Sequence, residues 1–230
     1  MPRLIVLDTE TTGFSPANGD RIVEIGCVEL IDLRKGTSRQ WYINPQRDIP
    51  ADAIKVHGIT NEKVADAPLF VDIVDQFLDY IGHDSLVIHN AAFDMGFLNA
   101  ELNRAQRAPI AFDRAIDTLA AARRKFPGTS ASLDALCKRL GIDNTQRTLH
   151  GALLDANLLA EVYVELCGGN QFTFDLAQPE PAPKAISSDI NKPKKDLITP
   201  ARVWPISEEE SRLHENFLGM LDKKYGICLK

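Results

Sequence analysis

Asp8 and Glu10 stand two residues apart at the end of an apolar run, in the segment Asp8-Thr9-Glu10-Thr11-Thr12-Gly13. The run Leu4 to Leu7 suits a buried strand, and side chains at i and i+2 of a strand share a face. Two carboxylates held side by side repel unless they share a proton or bind a cation. Asp94 follows in His89-Asn90-Ala91-Ala92-Phe93-Asp94, just past a second apolar run and at the expected start of a helix. His150 and Asp155 lie in His150-Gly151-Ala152-Leu153-Leu154-Asp155-Ala156. Asp155 interrupts an otherwise apolar helix, which is costly unless the carboxylate is paired or ligated. Taken singly, these residues read as a solvated turn, a helix cap and a surface histidine. Taken together, four carboxylates at strand ends and helix starts can converge on one sheet edge. Such oxygen-rich clusters suit hard cations such as Mg²⁺ or Mn²⁺.

The elements that must position them follow from periodicity. Leu4–Leu7, Arg21–Ile31 and Ser38–Asn44 read as three strands joined by short turns, hence antiparallel. Along the second, Ile22, Glu24, Gly26, Val28 and Leu30 are expected on one face, and Val23, Ile25, Cys27, Glu29 and Ile31 on the other. Ser85–Ile88 and Arg114–Ile116 read as further strands. Helices are expected over Leu69–Ile81, with Asp66 as its cap, and over Phe93–Gln106, Thr118–Lys125, Ser132–Leu140 and Gly151–Cys167. Asp117 and Asp134 read as caps. Strands followed by strand–helix alternation predict an α/β fold, a mixed sheet with helices packed on it. The chain has 230 residues, enough for one domain with additions. Four scattered cysteines, Cys27, Cys137, Cys167 and Cys228, lack zinc or disulfide spacing. No apolar run is long enough to span a membrane and no secretory signal is evident, so a cytoplasmic location is expected.

Two cations held by such carboxylates would clamp the attacking and leaving oxygens of a phosphodiester. A nearby histidine could take the proton from the attacking water. The net charge of -6 falls entirely in residues 1–170, because residues 171–230 hold nine acidic and nine basic side chains. Cations are then what brings a phosphate in. The set Asp8/Glu10, Asp94 and His150/Asp155, in the contexts DTETTG, HNAAFD and HGALLDA, resembles the DEDD exonuclease superfamily in its histidine-bearing branch. The resemblance implies a ribonuclease-H-like fold with a five-stranded mixed sheet. It also implies hydrolysis from a 3′ end, releasing nucleoside 5′-monophosphates with two divalent ions, Mg²⁺ or Mn²⁺. By that resemblance Asp8, Glu10 and Asp155 bind metal directly and touch the substrate, Asp8 bridging both ions, and Asp94 holds the second ion, partly through water. His150 is the general base. Val56-His57-Gly58-Ile59-Thr60 is similar to a family segment beside the terminal nucleotide, which makes His57 a substrate candidate and Asp52 a weaker one. Thr9 and Thr12 are candidates for backbone contacts to the nucleotide.

Beyond Gly168-Gly169 the composition changes. Gln171-Phe172-Thr173-Phe174-Asp175-Leu176 resembles a bacterial sliding-clamp-binding peptide, with Gln171, Phe174 and Leu176 as anchors; the alternative is a last strand folding back on the domain. Six of the 13 prolines crowd into residues 179–205, and Gln178–Thr199 is poor in large apolar residues. Residues 177–201 are therefore expected to form a linker. Treated as a coil, the 22 residues of Gln178–Thr199 would span roughly 25 Å at ~5–6 Å × √n. In the tail, residues 202–230, Ser207 and Glu210 form a capping box. Leu213, Phe217, Met220 and Leu221 recur at helical spacing behind it, and Trp204 precedes it. This tail resembles the C-terminal segment of bacterial DNA polymerase III proofreading (epsilon) subunits. The resemblance implies that Trp204, Leu213, Phe217 and Leu221 bind the polymerase (alpha) subunit. It further implies a DNA primer 3′ end as substrate, the beta sliding clamp as partner, and a small theta-like accessory subunit as a further candidate. Two alternatives stand beside this reading: an RNA-trimming exonuclease of the same branch, and a tether that mainly joins polymerase to clamp.

Overall fold

Leu4–Leu7 lies inside a longer strand, β1 (Arg3–Thr11), in the computed structural model, which describes residues 3–168, 208–209 and 211–212. The other strands are β2 (Ile22–Ile31), β3 (Arg34–Tyr42), β4 (Ser85–Ile88) and β5 (Ala115–Asp117). They form one mixed sheet in the order β3-β2-β1-β4-β5. β1 pairs antiparallel with β2 and parallel with β4, so the chain leaves the central strand toward opposite sides. Asp32 and Leu33, both at positive φ, make the two-residue turn between β2 and β3. That geometry matches the twist of a hairpin and usually calls for Asn-Gly, so this turn was not legible and β3 starts earlier than expected. β3 is an exposed edge, guarded by Arg34, Lys35 and Arg39.

Seven α-helices accompany the sheet within residues 3–168: α1 (Ala51–His57), α2 (Asn61–Val64), α3 (Phe70–Ile81), α4 (Ala91–Arg104), α5 (Thr118–Lys125), α6 (Leu133–Leu140) and α7 (Ala152–Leu166). The two sheet faces are both apolar. On one, Ile5, Leu7, Ile25 and Cys27 pack with Phe70 and Phe77 of α3 and Met95 and Phe97 of α4. On the other, Val6, Val28, Leu30 and Val87 pack with Leu136 of α6 and Ala156 and Leu159 of α7.

Three expectations need correction. Ile22 belongs with Ile25 and Cys27, because a bulge pairs Glu10 with Glu24 but Thr11 with Ile22 and leaves Val23 as the extra residue. Val23 instead joins Ile49, Ile59 and Val64 under α1 and α2. Asp66 does not cap α3; Leu69 occupies the cap, and its N–H donates to Asp72 at 2.9 Å. Asp134 does not cap α6 either, since Ser132 does, accepting from the Ala135 N–H. Asp117 does cap α5, accepting from the N–H groups of Leu119 and Ala120. Glu208, Glu209, Ser211 and Arg212 are helical, within the segment where the tail helix is expected. The clamp-like peptide, the linker and Trp204, Leu213, Phe217 and Leu221 lie outside the described residues.

Candidate active site

The ends of β1 and β4 and the starts of α4 and α7 meet at the carboxyl edge of the sheet, beside the strand where connections diverge. That is where α/β sheets place ligands. A cleft of about 680 Å³ opens there, lined by Asp8, Glu10, Asp94, His150 and Asp155 among others. The structure thus brings together the five residues singled out by motif.

Each is placed by a different device. Asp8 and Glu10 project from β1 toward α7, opposite Gly26 and Glu24 of β2. Asp94 sits in the first turn of α4, 3% exposed, and accepts the Thr9 hydroxyl at 2.8 Å. Thr9 points the other way from Asp8 and Glu10, so its hydroxyl ties the α4 layer to the strand. Asp155 sits in the first turn of α7, also 3% exposed. His150 precedes α7 and keeps an exposed ring; its backbone N–H donates to the Val56 carbonyl at 3.0 Å, pinning its loop to α1.

Two positioning residues were not legible as such. Gly26 is where α7 crosses β2: a Cβ there would come within 2.2 Å of the Ala152 carbonyl carbon. Glu24, buried opposite Glu10, accepts from the Ala152 N–H at 3.2 Å and from the Gln40 amide at 2.6 Å. It thereby satisfies a free N–H at the α7 N-terminus and keeps its own charge from being unpartnered. A third missed residue, Arg147, enters the cleft itself. Its guanidinium donates to both oxygens of Asp155, each at 2.6 Å, and to Asp134 at 2.8 Å. The signal was one arginine in a polar loop, with no periodicity to mark it.

The electrostatics follow from crowding carboxylates out of water. Burial, then the charges of Asp94, Glu10 and Asp155, hold Asp8 well above the usual carboxylate range. Burial, with Asp155 and Glu24 next, pushes Glu10 up to about 8. Burial likewise pushes Asp94 up to about 7, against the Thr9 hydrogen bond, which lowers it. Such a set favours either protons or cations. It fits divalent metal: Glu10, His150 and Asp155 each offer one ligand atom, all within 4.8 Å of one another.

The secondary candidates fall elsewhere. Asp52 lies on the exposed first turn of α1, paired with Lys55 at 2.9 Å, and does not line the cleft. His57, the last residue of α1, is buried; its Nδ1 accepts from the Ile59 N–H at 3.0 Å. Its Nε2 has no partner among the described residues. Burial holds its pKa down. Thr12 is buried, and its hydroxyl accepts from the Arg21 N–H.

A mixed five-stranded sheet with an acidic cleft at its carboxyl edge is the architecture of ribonuclease-H-like nucleases, and residues 5–163 match the Exonuclease family model. Among solved structures, Exonuclease X, in complex with 5′-overhanging duplex DNA, superposes with a TM-score of 0.58 at 32% identity, covering 71% of this chain and 90% of that one. The DNA polymerase III epsilon subunit of Rickettsia felis is 47% identical over 225 residues, covering 96% of this chain and 97% of that protein. That of Pasteurella multocida is 46% identical over 99% of this chain and 92% of that protein. The chain therefore belongs to the exonuclease family, within the group of DNA polymerase III epsilon subunits. It is a metal-dependent 3′→5′ exonuclease of the proofreading type. No described helix is long and apolar enough to cross a membrane.

Proposed function

We propose that Asp8, Glu10, Asp94 and Asp155 hold two divalent ions, Mg²⁺ or Mn²⁺, and that this cleft removes mispaired nucleotides from a primer 3′ end. The observation that carries the reading is the convergence of these four carboxylates and His150 on one cleft. When bound, the ions supply charge neutralisation and Lewis acidity to a phosphodiester that the protein's negative field would otherwise repel. Asp8 and Glu10 offer oxygens from a rigid strand, so their spacing is set by the sheet. Thr9 fixes one Asp94 oxygen and leaves the other for the site. His150 accepts the proton of the attacking water at Nδ1. That nitrogen faces the Arg147 guanidinium, which only donates, so it carries no proton in the neutral ring. A mispaired terminus frays more readily than a paired one, so threading it into the cleft as a single strand takes less unpairing energy.

The relatives extend the resemblance through the tail, which supports DNA over RNA as substrate. In this reading residues 1–170 are the nuclease, Gln171, Phe174 and Leu176 dock on the beta clamp, and residues 177–201 link. Trp204, Leu213, Phe217 and Leu221 anchor residues 202–230 to the alpha subunit. A theta-like subunit remains a candidate partner of the nuclease. The replisome in the cytoplasm is the place for such an assembly. Tethering raises the effective concentration of primer ends, so the nuclease itself needs little DNA affinity. The test is digestion of a 3′-mismatched primer with Mg²⁺, with and without chelator. Stepwise release of 5′-monophosphates that stops on chelation is expected; chelator-resistant digestion would overturn the metal assignment.

A further inference from the structure

Arg147 reaches the centre of the acidic cleft from the loop before α7. Nε and Nη2 each donate to one oxygen of Asp155 at 2.6 Å. The same Nη2 lies 2.9 Å from Nδ1 of His150, and Nη1 donates to Asp134 at 2.8 Å. The Arg147 side chain is 7% exposed and that of Asp155 4%. One guanidinium thus covers two groups that catalysis needs free: the carboxylate lone pairs of a proposed ligand and the lone pair of the proposed base. A bidentate fork and a divalent ion compete for the same oxygens, and their charges repel strongly in a site shielded from water. Of the three residues whose ligand atoms cluster within 4.8 Å, two are those that Arg147 engages. Asp134, by contrast, is more than half exposed and stands outside the ligand set, so it can keep hold of the arginine when Asp155 is lost.

We propose that Arg147 is an exchangeable counter-ion of the active site. It neutralises Asp155 and covers His150 in the metal-free protein. It yields both when a divalent ion enters, and stays tethered through Asp134. Metal binding is then an exchange of one cation for another, and His150 becomes a free base only once the metal has arrived. The inference rests on the reading of Glu10 and Asp155 as ligands.

The test is calorimetric titration of Mn²⁺ into the metal-free full chain, for wild type, Arg147→Gln, Arg147→Lys, Asp134→Asn and Asp155→Asn, with melting curves taken before metal is added. Arg147→Gln should lower the metal-free melting temperature yet tighten Mn²⁺ binding by about tenfold or more, the scale of one lost charge-assisted bond. Arg147→Lys should fall between, since it keeps the charge but not the fork. Asp134→Asn removes a bond that Arg147 keeps in both states and touches no proposed ligand, so it should leave Mn²⁺ affinity within about twofold of wild type. Unchanged or weaker Mn²⁺ affinity in Arg147→Gln would overturn the proposal and make Arg147 a support that stays on Asp155 beside the metal. If Arg147→Gln does not fold, unchanged or weaker affinity in Arg147→Lys overturns it equally. Mn²⁺ binding that survives in Asp155→Asn at wild-type affinity would sink the ligand reading itself, and the counter-ion with it.

Discussion

Burial and mutual repulsion of Asp8, Glu10 and Asp94 set the pH behaviour of the metal-free protein. Glu10 moves from an ordinary 4.5 to about 8, and Asp94 from 3.8 to about 7. The folded metal-free protein therefore holds these protons more tightly than the unfolded chain does. The stability they confer is complete below the unfolded values and is lost as pH rises through 7 to 8. Carboxylates shifted the other way by hydrogen bonds, such as Glu29 to Arg3 and Asp75 to Arg107, change stability only at lower pH. Burial lowers the pKa of His57 and His89, which adds stability as pH rises toward 6.5. Above that the carboxylates dominate, so the melting temperature of metal-free protein should fall between about pH 6.5 and pH 8, and saturating Mn²⁺ should flatten the slope. A metal-free profile flat across that range would remove the repulsion argument. In the same terms, Asp8→Ala should abolish Mg²⁺-dependent hydrolysis while leaving the metal-free protein at least as stable as wild type, by calorimetry. His150→Ala should cost roughly 10²–10⁴-fold in rate, the span of acid–base groups. A mutant that keeps the wild-type rate would return His150 to a structural role.

At the scale of elements, the decisive contact is α7 against β2. The helix carries Asp155, and the residue before its cap is His150, so a shift of its first turn misplaces both. Gly26 permits the approach and Glu24 fixes its height. Gly26→Ala would drive a methyl group into the Ala152 backbone, which cannot rotate away. It should cost about 1–3 kcal/mol of stability, the usual scale of overpacking. It should also lower kcat by more than tenfold, because misplacement near 1 Å is costly in catalysis. Glu24→Gln keeps the hydrogen bond to Ala152 within reach and should be milder. Equal kcat in Gly26→Ala and wild type, measured on a single-stranded oligonucleotide, would show that the helix start is not held by this contact.

For the whole molecule, the nuclease and its attachments should separate cleanly. Truncation after Ala201 should abolish co-elution with the polymerase alpha subunit and leave digestion of free single strands unchanged. Phe174→Ala with Leu176→Ala should weaken beta-clamp binding alone. A truncated protein that still co-elutes would move the tether into residues 1–201. A double mutant that binds clamp as wild type does would make Gln171–Leu176 the end of the folded domain instead.

The sequence by itself determined the site's composition and the sheet's plan. Singly, Asp8, Glu10, Asp94, His150 and Asp155 read as ordinary turn, cap and surface residues; their order and local contexts, DTETTG, HNAAFD and HGALLDA, are what made the candidate site visible without coordinates. Alternation and apolar runs likewise gave the strands of the mixed sheet and its long helices, because burial imposes a period on sequence. Short elements left no such trace: α1 and α2 are too brief for a helical period to repeat, and the Asp32–Leu33 turn lacks its usual residues. Only the tertiary structure decided which neighbours hold the site in place. Glu24 meets Ala152 across 128 residues, Thr9 meets Asp94 across 85, and Gly26 matters only because a helix crosses it. Arg147 is the sharpest case. Its partners lie within a few residues or one loop away, yet nothing in a polar loop says that its guanidinium will turn inward. That direction is set by the unpaired charge of the buried cleft, which exists only once strand, loop and helix have come together.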